Sequence, residues 1–172
     1  MKHAFFLIGA VAILATGMSL AETVEGRVIG VADGDTITVL TINGSEKRPR
    51  KMRIVGIDAP EKAQQFGNVA KEAMSALTFG KDAVADCRSV DRYGRDLCLV
   101  RVGQVDIGLR MIEQGLAWHY KQYEREQPVV ERASYSMAET TAKAARRGIW
   151  KDLDGGAPPM PPWDWRRAKK AE

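Results

Sequence analysis

The chain has 172 residues, a formal net charge of +4 and 28% charged residues. This length fits one domain with its own core. The mild positive charge permits a polyanionic partner but does not require one. Only two histidines are present, His3 and His119, which excludes histidine-rich zinc hydrolases and phosphodiesterases that use paired histidines. Any hydrolytic chemistry would therefore depend on carboxylates, arginines and a metal ion.

The first 21 residues are typical of a secretory signal. Lys2 precedes an apolar run that extends to about Ala15, and Ser19 and Ala21 have the small side chains of a cleavage site. Cleavage after Ala21 would give a secreted or periplasmic protein without a membrane segment. The alternative is a membrane anchor, because the apolar run is borderline in length for a bilayer span.

The remaining chain predicts an α+β domain at residues 22–152. Alternating apolar residues favour three strands between about Gly26 and Asp58, with a polar turn at 43–50. Two further strands are predicted at 83–89 and 97–102, and helices at 64–79, 105–116 and 129–147. Five strands with a helix between the third and fourth are typical of a five-stranded OB-fold β-barrel, here with three α-helices.

Residues 153–172 form a tail rich in proline, tryptophan and basic residues. This composition favours an extended or mobile segment. Docking of Trp163 and Trp165 on the domain is the alternative. The tail's basic side chains would then be free to contact a polyanion; these are Arg166, Arg167, Lys169 and Lys170.

Two cysteines, Cys87 and Cys98, lie on either side of a turn signal. A hairpin would place them opposite each other, and export would allow a disulfide to form. Two free thiols remain the alternative. A zinc site is not favoured, because no other zinc ligands lie nearby in the sequence.

Acidic residues gather at the ends of two predicted strands. If the second and third strands pair around the polar turn, Asp35 lies opposite Asp58, and two facing carboxylates repel each other. A bound hard cation such as Ca²⁺ or Mg²⁺ would relieve that repulsion. Asp33 and Glu61 lie at the same end. The alternative for the sequence DGDT is an ordinary hairpin turn.

Arg53 does not fit this arrangement simply. It lies five residues before Asp58, and strict alternation would direct the two side chains to opposite faces of the strand. A bulge or strong twist would bring them together, and Gly56 between them would permit one. Arg95, in the sequence DRYGRD, belongs to a hairpin turn, and solvent exposure is the alternative for both arginines.

These segments together resemble the staphylococcal nuclease (thermonuclease) family. The matching motifs, in the family's order, are DGDT at 33–36, RIVGIDAPE at 53–61, DRYGR at 91–95, EQGLA at 113–117 and RRGIW at 146–150. The resemblance implies a Ca²⁺-dependent phosphodiesterase that acts on DNA and RNA, breaks the 5′ P–O bond and leaves 3′-phosphate products. It implies a monomer with no stable protein partner.

The resemblance also implies a role for each matching position. Asp35 and Asp58 correspond to carboxylate ligands of Ca²⁺, and Ala59 to a ligand that binds through its carbonyl. Glu61 corresponds to the general base, and Arg53 and Arg95 to the arginines that contact the phosphate. Asp33 and Thr36 are expected just outside the metal ligands, and Arg92 and Tyr93 near a substrate phosphate.

The sequence departs from the family pattern at several points. The best-known member has threonine where this chain has Ala59, and the segment from Glu61 to Phe66 is several residues shorter. The tyrosine that stacks on a base has two candidate counterparts, Tyr120 and Tyr123. Two other functions remain open: an OB barrel that binds single-stranded nucleic acid without cutting it, and a structural exported protein.

Overall fold

Five long strands close into a barrel in the order β3-β2-β1-β5-β6, and β3 pairs back onto β6 in parallel. We describe residues 22–151 and 158–171 of a computed structural model, so the proposed signal segment lies outside the described residues. The long strands are β1 (Glu22–Val31), β2 (Thr36–Asn43), β3 (Glu46–Ile54), β5 (Asp82–Val90) and β6 (Asp96–Val102). The predicted five-stranded OB-type barrel and its α+β class are confirmed.

Short strands and helices complete the fold. The short strands are β4 (Ile57–Asp58), β7 (Val105–Asp106) and β8 (Trp118–His119). The α-helices are α1 (Gly67–Thr78), α2 (Ile107–Glu113), α3 (Val129–Ala144) and α4 (Pro162–Ala171), and 3₁₀ turns span Lys121–Glu126 and Gly148–Trp150. Three helices were predicted and α4 was not. The expectation of an extended or mobile tail is therefore wrong for the residues of α4.

Apolar side chains at alternate strand positions fill the barrel. Ile37 and Val39 of β2 and Met52 and Ile54 of β3 are fully buried, as the period of two in a strand requires. Helix α1 adds Met74 to this core. A second buried cluster outside the barrel consists of Trp118, Ala142, Ile149 and Trp150, with Phe66 and Trp163 packed against it.

The turn between β2 and β3 is shorter than predicted. Asn43 pairs with Glu46, so only Gly44 and Ser45 form the turn, and the predicted polar turn at 43–50 is wrong. Residues 46–49 are exposed strand. A strand segment that meets solvent on both faces lacks apolar alternation, and its charged sequence therefore has the composition of a loop.

The predicted disulfide is present. Cys87 of β5 and Cys98 of β6 lie directly opposite each other in the hairpin and are joined by an S–S bond, which rules out the alternative of free thiols. Within residues 22–151 and 158–171, no helix combines the length and apolar character that crossing a membrane requires.

Candidate active site

The loop before β2 directs Asp35 into the end of the barrel. The backbone N–H of Asp35 donates to the Asp33 carboxylate at 3.1 Å, which fixes the turn. Gly34 lies against Ala59 and Ala70, and a Cβ at that position would come within 2.8 Å of both their Cβ atoms. This close packing lets the N–H of Ala59 donate to Asp35 Oδ2 at 3.0 Å.

Asp35 and Asp58 meet at this end, but not by the predicted pairing. The β2–β3 register aligns Thr36 with Arg53, so Asp58 lies beyond the ladder and is not opposite Asp35. The chain turns at Gly56, whose φ is +74°, and β4 then pairs with β8. The prediction of facing strand ends is wrong in register, and the chain turns at Gly56, where the sequence predicted a bulge or strong twist.

Arg53 joins the two aspartates. Its guanidinium forms an ion pair with Asp35, and Nη2 donates to Asp58 Oδ1 at 2.8 Å and to the carbonyl of Ile57 at 3.2 Å. The turn at Gly56 makes this possible, because it returns Asp58 to the face of β3 that carries Arg53. The sequence-based difficulty with Arg53 is therefore resolved by backbone geometry.

Burial and charge act in opposite directions on the carboxylates. Burial raises the pKa of Asp58, although Arg166 and Arg53 oppose the shift. Burial also opposes ionisation of Asp35, but Arg53 and the N–H of Ala59 outweigh it, so the pKa of Asp35 is lowered. Burial together with the nearby charge of Asp35 raises the pKa of Asp33 to about 6. The site is thus a buried anionic cluster neutralised by arginines.

Arg95 reaches the same cluster from the β5–β6 turn. Its Nε and Nη2 each lie 2.7 Å from Asp91 Oδ2, and its Nη1 lies 3.4 Å from Thr36 Oγ1. The Thr36 hydroxyl in turn donates to Asp35 Oδ1 at 2.9 Å. Asp91 also accepts the backbone N–H of Tyr93 at 2.8 Å, so one carboxylate fixes both the turn and the arginine.

Arg92 and Tyr93 lie on the exposed side of this turn. Arg92 donates to the Tyr93 hydroxyl at 2.8 Å, and its guanidinium carbon lies 4.9 Å from the centre of the ring. The guanidinium carbon of Arg95 lies 5.5 Å from the same ring. Tyr93 is 68% exposed and is therefore accessible to a ligand beside Arg95.

Glu61 lies on the loop between β4 and α1. Gln64 holds this loop: its side-chain oxygen accepts the N–H of Glu61 at 3.2 Å, and its own N–H donates to the Glu61 carbonyl at 2.8 Å. The Glu61 side chain is 38% exposed, unlike that of Asp58, which has no exposed surface. Water can therefore reach the Glu61 carboxylate.

The two candidate tyrosines for base stacking lie together. The rings of Tyr120 and Tyr123 are 5.5 Å apart. Tyr123 is 51% exposed, whereas Tyr120 is half-buried beneath Trp163, whose ring centre is 5.5 Å from its own. The neighbouring His119 is buried and contacts Gln127 and Tyr135, which fits a role in packing.

Comparisons with known proteins identify the family. Residues 51–152 match the sequence model of the family described as staphylococcal nuclease homologue. The chain belongs to the staphylococcal nuclease family. It is 38% identical to an uncharacterized endonuclease of Haemophilus influenzae over 84% of this chain and 74% of that protein. It is 33% identical to a micrococcal nuclease of Shigella flexneri over 99% of this chain and 98% of that protein.

Membership makes the protein a nuclease, and hence a hydrolase with a nucleic-acid substrate. This favours the enzyme over the non-catalytic binding module and the structural protein. The nucleases of this family are generally metal-dependent. The residue motifs that suggested the family lie partly before residue 51, so the sequence resemblance extends beyond the matched range.

The donor atoms at the barrel end suit a hard cation. Asp35, Asp58 and Glu61 offer only carboxylate oxygens, the ligands that Ca²⁺ and Mg²⁺ prefer. Within the described ranges, no three His, Cys, Asp or Glu side chains come close enough together to form a metal site by themselves. Arg53 and Arg166 both form ion pairs with Asp58. The cluster therefore attracts positive charge.

Sequence reasoning missed one member of this nuclease's site. Arg166 of α4 places Nη2 2.7 Å from Asp58 Oδ2 and Nη1 2.7 Å from Glu61 Oε1. From the composition of the tail, Arg166 was predicted instead to be one of several basic residues free to contact a polyanion. The available signal was the spacing of Trp163 and Arg166, because residues three apart share one face of a helix.

Proposed function

We propose that this protein is an exported, Ca²⁺-dependent nuclease that hydrolyses both DNA and RNA. The 5′ P–O bond would break and leave 3′-phosphate products, as the family resemblance implies. The observation that carries the proposal is the meeting of Asp35, Asp58, Arg53 and Arg95 at one end of the barrel. Such a cluster combines oxygen ligands for a hard cation with guanidinium donors for a phosphate.

The arginines would bind and stabilise the phosphodiester. A guanidinium presents paired N–H donors that match the oxygens of a phosphate, and lysine lacks this planar fork. Arg95 is held by Asp91 with its Nη1 toward Thr36, so its direction is set before substrate binds. Donors that are fixed in advance stabilise charge that develops on the phosphorus at little reorganisation cost.

Glu61 would act as the general base. Its carboxylate is partly exposed and accessible to water, whereas those of Asp35 and Asp58 are buried. Acceptance of a proton from an attacking water contributes roughly a hundredfold to ten-thousandfold to a hydrolysis rate. Tyr93 and Arg92 would contact a neighbouring phosphate, and Tyr120 or Tyr123 would stack on a base.

Asp35 and Asp58, with the carbonyl of Ala59, would hold the cation, and Asp33 and Thr36 would orient Asp35. When bound, Ca²⁺ supplies neutralisation of phosphate charge and helps to orient the nucleophile. The few protein ligands leave room for water and a phosphate oxygen, as is usual where a hard ion binds between protein and substrate.

Export is supported by two features. The first 21 residues have the charge, apolar run and small residues of a cleavable signal. The Cys87–Cys98 disulfide suits an oxidising compartment such as the periplasm or the medium.

Digestion of purified single-stranded DNA and of RNA tests the proposal directly. We expect both to be cleaved in Ca²⁺, with no cleavage in EGTA and recovery when Ca²⁺ is restored. End-group analysis of the products should find 3′-phosphates. Full activity in EGTA, or recovery with zinc alone, would contradict the assignment of Ca²⁺.

A further inference from the structure

We infer that Arg166 of α4 is an internal cation of the active site, which a metal ion must displace before it can bind Asp58. This inference rests on the proposed function, because it concerns regulation of the same site. It assigns a role to a helix that begins ten residues after the family match ends at residue 152.

The guanidinium of Arg166 lies on Asp58, one of the two carboxylates proposed to hold the cation. It spans Asp58 and Glu61 through two contacts of 2.7 Å, with a further contact of 3.3 Å to Asp58 Oδ1. Arg53 also contacts Asp58 Oδ1, at 2.8 Å. With both arginines on it, the Asp58 side chain has no exposed surface, so a metal ion from solvent has no direct access to it in this arrangement.

Helix α4 is held over the site by contacts of residues that precede Arg166 in the chain. Trp163 packs on Trp118 with ring centres 6.4 Å apart, and on Tyr120 with ring centres 5.5 Å apart. At the start of the segment, the Gln64 side chain donates to the carbonyl of Met160. Because Gln64 also holds Glu61, the docked segment and the loop that bears the proposed base are connected.

The docked helix covers the substrate side as well as the metal side. Trp163 lies on Tyr120, one of the two candidates for base stacking, at an interplanar angle of 32°. One movement of α4 would therefore expose Asp58 and Tyr120 and release Glu61 from its ion pair with Arg166. The Arg166 side chain is itself 39% exposed, so its ion pairs compete with water and are open to displacement.

Calorimetric titration of Ca²⁺ into the metal-free, full-length protein tests this inference without relying on activity. We expect Arg166→Gln to bind Ca²⁺ about tenfold more tightly than wild type, the effect expected if the site is free in about one molecule in ten. The matched control is Arg167→Gln. It removes the same charge from the next position, where the side chain is 77% exposed and pairs with Asp164. Its affinity should equal that of wild type.

A second variant separates the helix from its arginine. Trp163→Ala keeps Arg166 but removes the aromatic anchor, so Ca²⁺ affinity should again rise. Hydrogen exchange of the α4 amides should be faster in this variant, and in wild type it should become faster when Ca²⁺ is added.

The possible results are distinguishable. Wild type that binds Ca²⁺ and digests DNA, with Arg166→Gln matching Arg167→Gln in affinity, would overturn the inference and leave the proposed function intact. Weaker Ca²⁺ binding by Arg166→Gln would also overturn it, and would indicate that the arginine assists the metal. If no variant binds Ca²⁺ and wild type does not digest DNA in its presence, the proposed Ca²⁺ dependence fails, and the inference fails with it.

Discussion

Two regions of this nuclease supply positive charge to the same carboxylate, that of Asp58, and they are held in different ways. Arg53 belongs to β3, pairs with Thr36 in the β2–β3 ladder, and has a side chain that is 15% exposed. Arg166 belongs to α4, which is part of neither sheet, and is 39% exposed. The first arginine is fixed by the backbone of the barrel, whereas the second depends on side-chain contacts of one short helix.

This difference suggests different roles: the arginine of the barrel would serve the chemical step, and the arginine of α4 would control access to the site. A group fixed by the barrel is already oriented when a substrate arrives, which is what transition-state stabilisation requires. A group held by a few partly exposed contacts exchanges with solvent, ligands or ions at small cost. We therefore expect changes at the barrel end to abolish cleavage, and changes in α4 to alter binding.

The largest effect is expected for Glu61→Gln. If the barrel end supplies the chemistry, the digestion rate should fall about a hundredfold to ten-thousandfold, because the amide cannot accept the proton. The control is Glu72→Gln at an exposed position of α1, which should digest DNA at the wild-type rate. Thermal unfolding should show that both variants are folded.

Glu61 also holds Arg166, so this substitution weakens the docking of α4. A digestion rate that rises in Glu61→Gln would mean that Glu61 serves only to anchor the helix. That result would reverse the division of roles between the two regions.

Arg95→Lys should lower the digestion rate by about a hundredfold while the fold is kept. Lysine retains the charge but loses the planar pair of donors, and the loss of one such fixed donor costs on the order of a hundredfold to a thousandfold. Arg101→Lys is the matched control, since Arg101 also pairs with an aspartate, Asp86 of β5, and its side chain is 41% exposed. Equal rates for the two lysine variants would argue against a role for Arg95.

The barrel end was largely predictable from sequence, because its residues are close in sequence or lie on paired strands. Asp33 and Asp35 share one turn, and Arg53 to Glu61 form one segment. The exact register was not predictable. Gly44 and Ser45 are a recognised hairpin pair, but the exposed charged residues at 46–49 lack apolar alternation, so the strand on that side of the turn has the sequence pattern of a loop.

The contribution of α4 was not predictable in the same way. Arg166 and Glu61 are 105 residues apart, and no ladder or turn between them fixes their distance. The contact between Arg166 and Glu61 forms because Trp163 packs on the partly apolar surface of Trp118 and Tyr120. Such docking depends on the surface shape of the folded domain. Neither hydrophobic periodicity nor local motifs give that information.

Gly56→Ala should lower the free energy of unfolding by about 3 kcal/mol, through backbone strain and overpacking together. The position has φ +74°, and a Cβ there would lie 2.8 Å from Gln127 Cδ and 3.0 Å from the Tyr135 ring. Chemical denaturation measures the change. The variant should also lose activity, since this turn carries Asp58 back to Arg53.

Gly44→Ala provides the comparison for strain alone. It has a similar φ of +61°, with nothing within 4 Å of the added Cβ. The expected cost is about 1 kcal/mol, with activity retained. If both substitutions lower the free energy of unfolding equally, the turn at Gly56 is not tightly packed. The barrel end would then be less rigid than its hydrogen bonds suggest.

The smallest effect concerns Glu139, which supports the surface beneath α4. Its carboxylate accepts the N–H of His119 at 3.1 Å and lies 2.9 Å from Lys143 Nζ and 3.2 Å from Lys121 Nζ. Burial alone would raise the pKa of Glu139, but Lys143, Lys121 and the His119 N–H together lower it below the ordinary value of 4.5. Ionised Glu139 therefore stabilises the fold above about pH 4.5. That stabilisation is lost as the pH falls through the lowered pKa.

Wild type should exceed Glu139→Gln in unfolding free energy by about 1 kcal/mol at pH 7, a modest value because both lysines are partly in solvent. The difference should shrink as the pH is lowered below about 4.5. Denaturation at several pH values measures it, with the exposed Glu46→Gln as a control expected to change stability little. A difference that stays constant down to low pH would mean that Glu139 acts through packing rather than charge. The surface on which Trp163 packs would then not depend on the ionisation of Glu139.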